Sequence, residues 1–140
     1  MSLTHVPAEL RRLVQERANG CCEYCRTPES ASFATHEIDH IVAEKHGGET
    51  SANNLALCCT LCNRRKGTDL ASVDPQTGEG AFLFHPRQHR WPDHFRFDGP
   101  RIEPLAATGR ATARLLGFNA EARLVERAAL ALSRAVPPPT

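Results

Sequence analysis

Val6, Leu10, Leu13 and Val14 recur at helical spacing, Pro7 suits a first helical position, and Gly20 is a natural terminator, so the chain should open with a helix. Residues 36–42 and 55–59 are short, rich in Ile, Val and Leu, and separated by Gly47, Gly48, Asn53 and Asn54; this predicts two short strands joined by a long loop. A helix is expected to follow over about residues 61–69. DPQTGEG, residues 74–80, reads as a turn by its Pro and Gly content. AFLF (81–84) and HFRF (94–97) read as further short strands, with Phe95 and Phe97 on one face and His94 and Arg96 on the other. Between them lies HPRQHRWP, a basic loop holding the only Trp. Leu105, Leu115 and Leu116 predict a helix stopped near Gly117. Asn119 followed by Glu121 starts a second, carrying Leu124, Val125, Ala128, Leu130 and Leu132, and the two should form a packing hairpin that covers the core, in preference to a partner surface. The pattern is that of an α+β chain.

One stretch breaks the apolar pattern. In IDHIVAEKHGG, residues 38–48, a carboxylate and an imidazole sit side by side among Ile38, Ile41 and Val42. Consecutive residues of a regular strand point to opposite faces, so Asp39 and His40 can address one ligand only if the strand ends or bends there. The loop from Ala43 supplies that ending. If the second strand and the helix after Cys62 fold back on the first, then Asn54, Asn63, Arg64, Arg65 and Lys66 reach the same neighbourhood. An acid, an imidazole, two amides and three cations suit a phosphodiester site: oxygens for a hard divalent ion, a base for water, and positive charge for the backbone.

Composition sharpens this picture. Apolar residues are 41% and charged residues 24% of 140, the balance of a globular chain that can bury a modest core. The formal net charge of +1 means that attraction to nucleic acid must come from a local patch. The start, MSLTHVPAELRR, lacks the apolar core of a signal peptide and no apolar run reaches membrane-spanning length, so a cytoplasmic location with no membrane partner is expected. In a reducing compartment six cysteines are metal ligands or buried thiols before they are disulfides. Only two CxxC pairs can be drawn, Cys22 with Cys25 and Cys59 with Cys62, which leaves Cys21 and Cys58 as buried apolar groups. Two turns each offering two thiolates make the closed tetrahedral site that structural Zn²⁺ prefers. His36, His46, His85, His89 and His94 have no ligand-like spacing. Arg87 and Arg90, near Trp91, could contact a phosphate backbone or stack on an aromatic.

Taken together, CxxC at Cys22 to Cys25, DHI at Asp39 to Ile41, the pair Gly47 and Gly48, NL at Asn54 and Leu55, and CxxCN with a lysine from Cys59 to Lys66 resemble the HNH endonuclease family. The match runs over about residues 6–67; LFHPRQHRW and TGRAT resemble a bacterial subgroup's carboxyl-terminal extension more loosely. The resemblance implies a ββα-metal core with a four-cysteine zinc knuckle, an N-terminal helix and a C-terminal helical hairpin. It implies one domain, with a core over about 6–70, a β/loop extension over 71–103, helices over 104–134 and a tail at 135–140. It further implies that His40 is the general base, that Asp39 and Asn63 hold a divalent ion, that Asn54 fixes the loop holding the base, and that the products are a 5′ phosphate and a 3′ hydroxyl. Many members have His where Asn63 stands; an all-oxygen donor set favours Mg²⁺ or Mn²⁺. Ala43 replaces a common Pro. The expected function is therefore metal-dependent cleavage of DNA, double-stranded and with little base readout, with Arg64, Arg65, Lys66, Arg87 and Arg90 as DNA-binding groups. The rival is a zinc-stabilised nucleic-acid-binding module without catalysis, which needs the cations but has no use for Asp39, His40 and Asn63 together; a third reading is an interaction domain working through the last two helices.

Overall fold

A computed structural model describes residues 5–133, so the predicted tail at 135–140 lies outside the described residues. Helix α1 spans Ala8–Arg17 and buries Val14 against Val6, Ala18, Leu55 and Leu57, with Leu10 and Ile38 packed alongside. Pro7 stands just ahead of the first turn. Strands β1 (Glu37–His40) and β2 (Leu55–Cys58) pair antiparallel, Glu37 opposite Cys58 and His40 opposite Leu55. Helix α2 (Thr60–Lys66) follows at once, Cys59 capping it by accepting the Cys62 amide on sulfur. This ββα unit is the predicted core with tighter bounds. β1 gives way after His40: Ile41 still bonds the Asn54 carbonyl in register, but the Val42 amide turns to the Asn54 side chain, and α2 stops at Gly67, whose φ of 53° lies in the left-handed region.

The second half holds two strands beyond the two expected there. The DPQTGEG turn joins β3 (Ala71–Val73), which was not predicted, to β4 (Gly80–Phe82). HFRF does not pair with AFLF. Its strand β5 (Phe95–Asp98) pairs instead with β6 (Arg101–Pro104), and His94 belongs to the short helix α3 (Trp91–His94). Phe95 does face the core, next to Trp91, Phe84 and Phe118. Helices α4 (Ala107–Leu115) and α5 (Glu121–Ser133) form the two predicted C-terminal helices. Asn119 does not cap α5: its amide bonds both the N–H and the carbonyl of Ile102, pinning the α4–α5 connection to β6. Val125 is two-thirds exposed at 66%, whereas Arg123 and Arg127 on the same helix are buried. The buried face of α5 is thus polar, because these guanidiniums bond the carbonyls of Leu116 and Phe118, which the turn after α4 leaves without helical partners, and that of Pro100 in the β5–β6 turn. Leu132's side chain lies outside the described set.

Gly109 lets α4 approach α3: a Cβ there would lie 2.4 Å from the His94 carbonyl oxygen. The β3–β4 hairpin is held to α4 by Asp74, whose carboxylate takes two bonds from the Arg110 guanidinium at 2.9 and 2.8 Å as well as the Gln76 amide and the Thr77 hydroxyl. The Arg110 hydrogen bonds hold this carboxyl below the usual aspartate range. A lowered folded-state value stabilises the fold above the unfolded aspartate value of about 3.9, and that contribution is lost as pH falls through the folded value. Asp74→Asn should therefore melt at lower temperature than the wild type at pH 7, and the difference between their melting temperatures should begin to shrink only as pH falls below the unfolded aspartate value of about 3.9.

Candidate functional site

Three things meet around the ββα unit: a sulfur cluster, a buried ion pair, and an open cleft. The sulfurs of Cys22, Cys25, Cys59 and Cys62 all lie within 4.8 Å of one another, and all four residues are buried. Cys21 and Cys58 are buried thiols outside the cluster, as the spacing predicts. Each CxxC turn folds back on itself, the Cys25 amide reaching the Cys22 sulfur at 3.5 Å and the Cys62 amide reaching that of Cys59 at 3.4 Å. Four sulfurs so crowded cannot all be charged without a cation among them. Burial raises the Cys22 and Cys62 thiols, the bond with Cys22 raises Cys59, and only Cys25 is lowered, by bonds from its three neighbours. The donor set, its closure and its spacing fit a zinc ion.

Around the cluster stands a shell that was not read from the sequence. The Arg123 guanidinium lies 3.5 Å from the Cys62 sulfur and 3.9 Å from that of Cys59. Burial opposes its charge, but Cys25 and Cys62 hold its pKa above the ordinary arginine value. Trp91 donates its indole N–H to the Tyr24 carbonyl at 2.8 Å, and Arg26 stacks over the Trp91 ring at 5.1 Å. So an arginine does stack on this Trp, but it is neither Arg87 nor Arg90.

Beside the cluster, Tyr24 and Lys66 close on Asp39. The Tyr24 hydroxyl donates to Asp39 Oδ2 at 2.8 Å, and Lys66 Nζ lies 3.2 Å from Oδ2 and 3.4 Å from Oδ1. Lys66 also donates to the carbonyls of His40 and Ile41. At 2% exposure it is not a surface cation. Its predicted place among the DNA contacts is corrected: α2 turns Lys66 inward, where its three N–H groups are spent on the end of β1. Arg87 is corrected likewise, for it pairs with the buried Glu23 carboxylate, which also accepts the Leu57 amide. Arg64, Arg65 and Arg90 are exposed. Burial raises the Asp39 carboxyl, against the pull of Lys66 and Tyr24.

Asp39, His40 and Asn63 line one cleft of about 640 Å³, with Glu37, Gly67 and Thr68 on its walls and the exposed cations Arg11 and Lys45 at its edge. β1 ends at His40, which is how neighbouring residues address one space. His40 Nε2 lies 2.8 Å from the Thr50 hydroxyl. With that nitrogen donating, Nδ1 is the ring's basic atom. Asn54 staples the intervening loop: its Oδ1 accepts the Val42 amide at 2.9 Å, and its Nδ2 donates to the carbonyls of Val42 and Glu49 at 2.9 and 2.8 Å. Gly48 permits this closure, since a Cβ there would lie 1.7 Å from the Val42 carbonyl oxygen. His36 is buried and bonds the Thr27 carbonyl through Nε2 at 2.8 Å, tying β1 to the first CxxC turn. Thr50 left no mark in the sequence pattern; Glu37 was missed as well, though its place two before Asp39, on the same strand face, could have found it.

Residues 22–69 match the family model for HNH endonuclease. That region is of the HNH endonuclease family, and its bounds run from the first ligand of the sulfur cluster to just past α2. No curated protein and no solved structure matches the chain. No helix among the described residues is long and apolar enough to cross a membrane.

Arg123 offsets thiolate charge without ligating, and such outer groups typically shift metal affinity by about 10- to 100-fold. Arg123→Met should hand its metal to a coloured chelator at least ~10-fold more readily than the wild type, measured by competition at fixed chelator concentration.

Proposed function

We propose that the chain is a metal-dependent endonuclease that hydrolyses DNA phosphodiester bonds at the Asp39–His40–Asn63 cleft, double-stranded DNA being the preferred substrate. The observation that carries the reading is the convergence of one carboxylate, one imidazole and one amide in a single open cleft with cations at its edge. A binding module would need only the cations. His40 takes a proton from the attacking water through Nδ1, its orientation set by Thr50 and the loop that Asn54 staples. Arg11, Lys45, Arg64 and Arg65 meet the phosphate backbone, so association should weaken steeply with salt.

A divalent ion, Mg²⁺ or Mn²⁺, would be held by Asp39 and Asn63. The residues fit it: Asn63 Oδ1 is turned away from its amide's bond to Glu37, and Asp39 Oδ1 has only the long contact to Lys66. When bound, such an ion neutralises charge on the phosphate and on the departing 3′ oxygen. The products are a 5′ phosphate and a 3′ hydroxyl. The sulfur cluster holds a structural Zn²⁺, and the whole acts in the cytoplasm.

Cleavage of supercoiled plasmid tests the reading. Nicking should require Mg²⁺ or Mn²⁺, stop with EDTA, and fall by about 10²- to 10⁴-fold in His40→Ala. Asp39→Asn is the informative partner variant, because Asp39→Ala would strand the buried Lys66 ammonium, a loss of about 3–5 kcal/mol. In Asp39→Asn half-maximal nicking should need more Mg²⁺. DNA retention without nicking under any condition would favour the binding module instead.

Zinc closure of a loop this long contributes on the order of 10 kcal/mol. Elemental analysis should find about one zinc per chain, and a strong chelator should abolish the near-ultraviolet circular dichroism of the Trp91 and Tyr24 cluster. A fold unchanged after complete zinc removal would overturn the structural assignment.

A further inference from the structure

Glu37 begins β1, opposite Cys58, and strand alternation puts its side chain on the same face as that of Asp39. It lines the cleft with Asp39 and Asn63. Asn63 Nδ2 donates to Glu37 Oε1 at 2.8 Å. This bond matters because an amide has two chemically different ends. Nδ2 carries only donors, and Oδ1 alone offers lone pairs to a hard cation. Rotating the amide by half a turn would set Oδ1 against a carboxylate oxygen, acceptor on acceptor. A carboxylate at position 37 therefore selects one of the two amide orientations.

We propose that Glu37 is a positioning residue, whose carboxylate captures the Asn63 amide hydrogen and so keeps Oδ1 turned to the divalent-ion site. The inference rests on the reading of the cleft as such a site. The backbone supports the arrangement at both ends: Glu37 is held in register opposite Cys58, one residue before Cys59, and Asn63 follows the ligand Cys62 on the first turns of α2. The sulfur cluster thus sets the spacing between the carboxylate and the amide. Selection of this kind is needed where a cleft uses Asn as ligand. An Asp in its place has two equivalent oxygens and nothing to select.

That difference supplies the test. Mn²⁺ binding to the zinc-loaded protein, read by electron paramagnetic resonance of free Mn²⁺, is compared for the wild type, Glu37→Ala, Asn63→Asp and the double variant. Zinc content and circular dichroism establish that each is folded. Glu37→Ala should weaken Mn²⁺ binding by about tenfold or more when residue 63 is Asn. In the Asn63→Asp background the same substitution should leave binding unchanged or tighten it, because two facing carboxylates no longer repel. Weakening in both backgrounds would overturn the proposal and make Glu37 a direct ligand, a source of charge or a structural prop. Glu37→Ala without effect in the Asn63 background would overturn it too. A wild type that binds no Mn²⁺ would instead sink the reading of the cleft as a divalent-ion site, and the inference with it.

Discussion

Four buried sulfurs within 4.8 Å of one another impose the constraint on which the rest depends. Their negative charge is tolerable only around a cation, and a cation there cinches the Cys22–Cys25 turn to the Cys59–Cys62 turn across an insertion longer than a simple ribbon needs. That insertion is β1, its loop and β2. Cys59 both joins the cluster and caps α2, so closing the cluster also sets where α2 begins and hence where Asn63 and Lys66 project. The cleft is in this sense a consequence of the knuckle.

Three buried charges among the described residues are each met by specific partners. Lys66 is compensated by Asp39 and two carbonyls, Glu23 by Arg87 and an amide, and Arg123 by thiolate sulfur and the carbonyl at the end of α4. A charge taken from water without such a partner would cost several kcal/mol. The C-terminal extension serves this end as much as it covers apolar surface. Trp91 seals the first CxxC turn by packing and by its bond to Tyr24, and α5 brings a guanidinium to the sulfurs. Helix α5, which looked like half of a plain apolar hairpin, therefore brings counter-charge to the sulfur cluster.

Much of this was legible because short-range rules decide it. Helical spacing from Val6 to Val14, the turn residues between 47 and 54, and the two CxxC pairs require only neighbours in sequence, and they identify α1, the ββα unit and the sulfur ligands. The junction of Asp39 and His40 at a strand end was legible for the same reason: a glycine-bearing loop begins within a few residues.

The fates of individual cations and carboxylates needed the assembled fold. In Arg64, Arg65 and Lys66 the chain carries three neighbouring cations, and only helical phase against β1 turns the third inward. Arg87 and Arg123 look alike on paper, yet one binds a carboxylate and the other sulfur, because packing at distances of 64 and 61 residues along the chain chooses their partners. Strand partnership in 71–104 was equally hidden, since strands of three or four residues carry too little pattern to specify a mate. Local chemistry decides which elements and metal ligands exist, through dihedral preference and spacing. Which oxygen, nitrogen or sulfur each buried charge meets is a long-range matter, settled only when desolvation forces every such group to find a partner.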